Sequence, residues 1–164
     1  AARWTAFAQH HVIGVAAAAV VLVAGVLGYR WLLARDEIAL RPDDQSYVAR
    51  GEKVYRMACA SCHGADLQGQ ANWRERGADG LLPAPPHDPS GHTWHHPDRV
   101  LFDLTKLGVK PFAGPDYQSA MPAFQDRISN DDIIAVLSFI KSTWPAEIRQ
   151  RQDAINRQAA SSNE

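Results

Sequence analysis

Acidic side chains are missing from residues 1–35, where Arg3, Arg30 and Arg35 are the only Lys or Arg residues. Residues 36–164 therefore hold 14 basic and 18 acidic side chains, a net charge of −4 within an overall charge of −1. Without an excess of basic groups, this part has no field that attracts nucleic acid or steers a diffusing carrier to an acidic partner. We expect no nucleic-acid partner.

Cysteine is nearly absent as well, because Cys59 and Cys62 are the only two residues of this type, and His63 follows directly. The spacing Cys-x-x-Cys-His is the attachment motif of a c-type haem. Two thiols three residues apart on one helical turn can each bond a porphyrin vinyl group, while the adjacent imidazole points at the iron. The sequence therefore predicts one covalently bound haem c on Cys59, Cys62 and His63, with His63 as an iron ligand.

Two other interpretations of the cysteine pair remain open at this point. A structural zinc site would combine the two thiolates with two of His92, His95 and His96. A thioredoxin-like dithiol would stand at a helix start within a βαβ pattern, and no such alternation of strands is visible. Haem is favoured because His63 belongs to the attachment motif and is incidental to the other two sites.

A long charge-free segment covers residues 12–29. At about 1.5 Å per residue a helix of this length reaches ~27 Å, which predicts a single transmembrane helix in a lipid bilayer. We interpret residues 1–33 as an uncleaved signal anchor. Because c-type haem is attached outside the bacterial cytoplasm, the predicted location is the bacterial inner membrane with the haem domain in the periplasm.

The remaining chain is predicted to be all-α. Residues 34–46 have no apolar period and indicate a linker, residues 47–144 a haem domain, and residues 145–164 a polar C-terminal helix and tail. Within the haem domain, helices are predicted over residues 47–58, from Pro97 to Gly108, and after the capping sequence that begins at Ser129. Segments rich in Gly and Pro, residues 64–91 and 109–127, predict long ordered loops.

Methionine is as scarce as cysteine, and only Met121 can reach the second face of a haem held at Cys59 and Cys62. Met57 is too close to the attachment site to cross the porphyrin. Met121 precedes Pro122, which favours a stiff, extended loop suited to a weak thioether ligand. Met121 is therefore the predicted second iron ligand, and a loop histidine or an empty position are the alternatives.

The attachment site, the Met121 loop and the capped terminal helix, in this order, resemble a membrane-anchored class I cytochrome c over about residues 45–144. The resemblance implies proximal His63, distal Met121, and a helix crossing in which Gly51 and Tyr55 pack on Leu137 and Ile140. In such proteins a proline carbonyl usually accepts the other N–H of the proximal histidine. Here the candidates lie unusually far along the chain: Pro83, Pro85 and Pro86.

Ligands on both iron faces leave no position for a substrate, so we expect a one-electron carrier and no enzyme. The expected partners are a quinol–cytochrome c reductase and a terminal oxidase, and a permanent place in a respiratory supercomplex is one form of this interpretation. The alternatives are a cytochrome subunit of a membrane dehydrogenase or photosynthetic complex, and a haem-based gas sensor. Five residues are candidates for hydrogen bonds to the haem propionates, and their spacing does not favour any one of them: Trp73, Arg74, Arg76, Trp94 and Tyr117.

Overall fold

The computed structural model describes residues 19–29 and 38–162, which belong to two separate units. Residues 19–29 are helical, and residues 38–162 consist of helices and loops, with no β-strand in either described range. The all-helical part of the predicted fold class is therefore confirmed. Six α-helices lie within residues 38–162, namely α1 Gln45–Ala58, α2 Ala60–His63, α3 Asp98–Leu107, α4 Lys110–Ala113, α5 Asn130–Ser142 and α6 Ala146–Ser161.

The transmembrane part of the predicted fold class is wrong for the described residues. Across residues 19–29 and 38–162, no helix combines the length and the apolar character needed to cross a bilayer. Helical residues 19–29 extend about 16 Å, roughly half of a ~30 Å hydrocarbon core. The other parts of the predicted span, residues 12–18 and 30–33, lie outside the described residues.

Helices α1 and α5 cross closely at Gly51. A Cβ atom at this position would lie 1.9 Å from the Ala135 carbonyl oxygen and 2.8 Å from Phe139 Cβ, so only glycine permits this approach. The Tyr55 ring packs against Phe139, with ring centroids 5.6 Å apart. Gly51 is thus at the crossing as predicted, although its neighbours on α5 are Ala135 and Phe139.

Leu137 and Ile140, the predicted neighbours, are buried in the same core. This core joins both crossing helices to α3 and to the start of α6. Its other buried members are Val54, Tyr55, Leu67, Leu101, Phe102, Ile133, Val136, Trp144 and Ile148. The core brings the end of α1 against the rest of the domain, which fixes the position of Cys59.

The local sequence sets the helix ends largely as predicted. Ser129 caps α5 in a reciprocal capping box, in which its hydroxyl accepts the Asp132 N–H and the Asp132 carboxylate accepts the Ser129 N–H. Helix α3 ends at Gly108 as expected, but Pro97 is its N-cap and Asp98 its first residue. Helix α4 was not predicted, because Pro111 in its first turn also fits a loop.

A buried polar cluster at the start of α3, termed the Asp98 network, connects α6 to the domain. The Asp98 carboxylate accepts hydrogen bonds from Gln152 Nε2 at 2.6 Å and from the Leu40 backbone N–H at 3.1 Å. Lys141 Nζ lies 3.8 Å from Asp98 and 2.6 Å from Asp153. The segment expected to be a linker therefore contacts the haem domain at Leu40.

Candidate haem-binding site

The two cysteines lie where α1 gives way to the single turn of α2. Cys59 caps α1, and the backbone N–H of His63 donates to the Cys59 carbonyl at 2.9 Å. Both thiols are free, with Cys59 half-buried and Cys62 exposed. Burial, with a smaller contribution from Cys62, raises the pKa of the Cys59 thiol to about 11. The sulfur of Cys59 is thus a protonated thiol at neutral pH until it is alkylated.

His63 is buried and oriented by a carbonyl. Its Nδ1–H donates to the Pro85 carbonyl oxygen at 2.8 Å, which leaves Nε2 as the ring nitrogen for a metal ion. Burial lowers the pKa of His63 below the usual histidine value, and the hydrogen bond to Pro85 opposes this effect. The neutral ring that results is the form that binds iron. Among the three candidate prolines, Pro85 is therefore the partner of His63.

Residues 64–91 form the predicted ordered loop, which returns to His63 through backbone hydrogen bonds. The Gly69 N–H donates to the His63 carbonyl at 2.7 Å, and the His87 N–H donates to the Leu67 carbonyl at 2.7 Å. Leu67 is buried although its φ is +65°, a left-handed conformation that costs about 1–2 kcal/mol. The surrounding contacts hold this residue in place, and they bring Pro85 to His63.

His87 is the residue of this site that the sequence analysis missed. Its ring stacks on His63, with centroids 4.0 Å apart and planes 23° apart. Burial, together with the neighbouring His63 and then His92, lowers the pKa of His87 to about 3. In the sequence, only the rigid dipeptide Pro85–Pro86 before His87 sets this residue apart. The dipeptide does not indicate which part of the fold the histidine contacts.

Met121 is half-buried and lines an open cleft of about 490 Å³. The cleft also contains Leu81, Leu107, Val109 and Tyr117 among its lining residues, whereas Cys59, Cys62 and His63 are not part of the lining. The loop after Met121 is fixed on α3, because the Phe124 N–H donates to the carbonyls of Thr105 and Lys106 at 3.2 and 3.1 Å. The Met121 thioether thus lies in a loop that is anchored to α3.

The histidines that follow the loop do not form a three-ligand metal site. His92 stacks on Trp73, with centroids 5.4 Å apart, and the Arg74 guanidinium lies 4.0 Å from the same indole. His95 packs on Trp94. Throughout residues 19–29 and 38–162, no three His, Cys, Asp or Glu side chains are grouped so that they could hold a metal ion. The zinc alternative, which needs both cysteines and two of these histidines, therefore has no support.

The described residues fit a covalently attached haem. The two thiols are unpaired, and the Cys62 thiol is exposed. The Nδ1 atom of His63 is occupied by its hydrogen bond to Pro85, which leaves its Nε2 atom for iron. Met121 adds a sulfur donor in the wall of an open cleft of about 490 Å³, although the attachment residues do not line this cleft. A dithiol enzyme would need none of these additional features.

Comparison with known families gives a match to Cytochrome c over residues 48–144. Comparison with curated proteins and with solved structures found no match. The matched region is well over half of the chain and contains Cys59, Cys62, His63 and Met121, while α6 lies beyond it. The chain therefore belongs to the cytochrome c family and is an electron-transfer protein that binds haem c covalently.

Proposed function

We propose that the protein is a monohaem electron carrier with His63 and Met121 as its axial iron ligands. We further propose that it acts in the periplasm, between a quinol-oxidising membrane complex and a terminal oxidase. The observation that supports the ligation best is the hydrogen bond from His63 Nδ1 to the Pro85 carbonyl. This contact selects the ring tautomer whose Nε2 atom has a lone pair for iron and increases the basicity of the ligand.

Support for Met121 comes from its loop. Its backbone N–H donates to Ser119 Oγ at 3.1 Å, and Pro122 restricts the residue to extended conformations. Three residues further on, Phe124 is buried against the core. A thioether is a weak ligand that favours ferrous iron, so a loop fixed on both sides of Met121 reduces the entropy lost on ligation.

Haem c supplies a reversible one-electron couple when it is bound. The protein residues hold this group and exclude other reactions. Binding of the iron by both His63 and Met121 would leave no coordination position for oxygen, carbon monoxide or a substrate. Electron transfer, and no bond-making reaction, is the chemistry that this arrangement supports.

Carbon monoxide distinguishes the carrier from a gas sensor. We expect the reduced parent protein to form no carbon monoxide complex at neutral pH, and the Met121→Ala variant to form one readily. Met57→Ala is the matched control, since Met57 is 78 % exposed and is not a proposed iron ligand. A complex formed by the parent would indicate a sensor, and exclusion of carbon monoxide by Met121→Ala would assign the sixth position to another residue.

The proposed partners require a separate measurement. Purified, haem-loaded protein should be reduced by a quinol when catalytic amounts of quinol–cytochrome c reductase are present, and much more slowly without the enzyme. Reduction is followed in the visible spectrum. If ascorbate reduces the protein but the quinol and reductase do not, the proposed electron donor is wrong, and a dehydrogenase complex becomes the next donor to test.

A further inference from the structure

We propose that His87 is a positioning residue that fixes the orientation of the His63 imidazole. This inference rests on the proposed function, in which His63 binds the haem iron. The two rings are stacked with centroids 4.0 Å apart and an interplanar angle of 23°. The contact is nearly parallel, so His87 covers a face of the proximal ring and not its edge.

His63 is restrained in two different ways by one short segment. The Pro85 carbonyl accepts the Nδ1–H, which fixes the direction of that N–H bond. One hydrogen bond still allows the ring to tilt about the axis of the bond. A ring packed on the imidazole face opposes that tilt. His87 therefore restrains a motion of the His63 ring that the hydrogen bond to Pro85 still allows.

His87 can act in this way because its own position is fixed by three parts of the fold. Its Nδ1 atom is hydrogen-bonded to Thr93 Oγ1 at 2.8 Å, and Thr93 is buried. Its backbone N–H donates to the Leu67 carbonyl at 2.7 Å, and its carbonyl accepts the Trp144 indole N–H at 2.8 Å. The loop, the turn before α3 and the segment after α5 therefore all hold the stacked ring.

The orientation of an axial imidazole has a direct spectroscopic consequence. In low-spin ferric haem, the plane of the imidazole influences which iron d orbital holds the unpaired electron. The g values in electron paramagnetic resonance and the spread of the haem methyl shifts in proton NMR both follow this orientation. A residue that only stabilised the loop would change the unfolding midpoint and leave these spectra unchanged.

The test compares the parent with His87→Ala, His87→Phe and Thr93→Val, all as haem-loaded proteins. We expect altered g values and haem methyl shifts in His87→Ala, near-parental values in His87→Phe, and a smaller change in Thr93→Val. The exposed residue His95 provides the matched control, and His95→Ala should give the parental spectra.

A folded His87→Ala variant with parental g values and methyl shifts would overturn the proposal. If that variant does not fold, Thr93→Val decides: parental spectra again overturn the proposal. A parent protein that is wholly high-spin would contradict the His63 and Met121 ligation and, with it, this inference. A low-spin parent with unchanged variants contradicts the role of His87 alone.

Discussion

His63 shows how much of the site a local motif can predict. The spacing of Cys59, Cys62 and His63 was sufficient to predict the haem, because the attachment chemistry depends on neighbours along one turn. The choice of Pro85 among three prolines was not predictable, since it depends on how a loop of more than twenty residues folds back. His87 was missed for the same reason, because stacking over that distance leaves no periodic signal.

Acid should destabilise the domain in part through His92 and His96. Burial is the main cause that lowers the pKa of both side chains, and neighbouring histidines add to it. The unfolded chain takes up these protons near pH 6.5, whereas the folded chain does so only at lower pH. The free energy of unfolding should therefore be greatest above pH 6.5 and decrease as the pH falls through this window.

Urea unfolding of the haem-loaded protein, followed by circular dichroism at pH 7.5 and 5.0, measures this loss. The double variant His92→Gln with His96→Gln should lose less stability between the two pH values than the parent. His95→Gln should lose only slightly less than the parent, because His95 is one of the neighbours that lower the pKa values of His92 and His96. An unchanged loss in the double variant would show that these two side chains are not responsible.

At the scale of helices, the local sequence predicted those helix ends that depend on interactions within one turn. The capping box at Ser129 and the stop at Gly108 are contacts within one turn, and both were predicted. Residues 145–164 were expected to form a polar helix followed by a tail, and helix α6 covers Ala146–Ser161 of this segment. Its few apolar positions gave no indication that Gln152 would be fully buried, because the acceptors of its amide group are the Asp98 carboxylate and the His96 carbonyl, more than fifty residues away.

Gly51→Ala should weaken the crossing of α1 and α5. The added Cβ would meet the backbone carbonyl of Ala135, which cannot rotate away, so the helices must separate. We expect a loss of about 1–3 kcal/mol in the free energy of unfolding, as for other overpacked cores. Lys53→Ala, an exposed change on the same helix, should stay within about 0.5 kcal/mol. Equal unfolding midpoints for the two variants would place the close approach elsewhere.

For the whole molecule, the sequence predicted the helical class, but it did not predict the contacts that Leu40 and Arg41 make with the helices. Residues 34–46 were expected to be a linker because they lack an apolar period. Leu40 and Arg41 nevertheless donate backbone hydrogen bonds to Asp98 and Ser138, at 3.1 and 2.9 Å. Such contacts leave no pattern in hydrophobicity. For the predicted transmembrane helix the hydrophobic pattern was clear, but the prediction was wrong for the described residues. Their helices are too short or too polar to cross a bilayer.

Asp98→Ala should test whether the Asp98 network stabilises the domain as a whole. The change removes the acceptor of Gln152 Nε2 and the Leu40 N–H, and it leaves Lys141 with one fewer carboxylate nearby. We expect a loss of about 3 kcal/mol, because buried donors lose their partner. Asp103→Ala on the same helix removes only a surface pair with Arg99 and should cost about 0.5 kcal/mol or less. Similar losses in both variants would contradict a special role for the buried network.

The proton NMR spectrum of the reduced protein tests the central claim most directly, that a haem c is held between His63 and Met121. A methionine methyl group bound to haem iron lies over the porphyrin, and the ring current moves its resonance far upfield of all other protein signals. We predict one such three-proton resonance in the parent and in Met57→Leu, and none in Met121→Ala. Its absence from the parent, or its persistence in Met121→Ala, would contradict the claim.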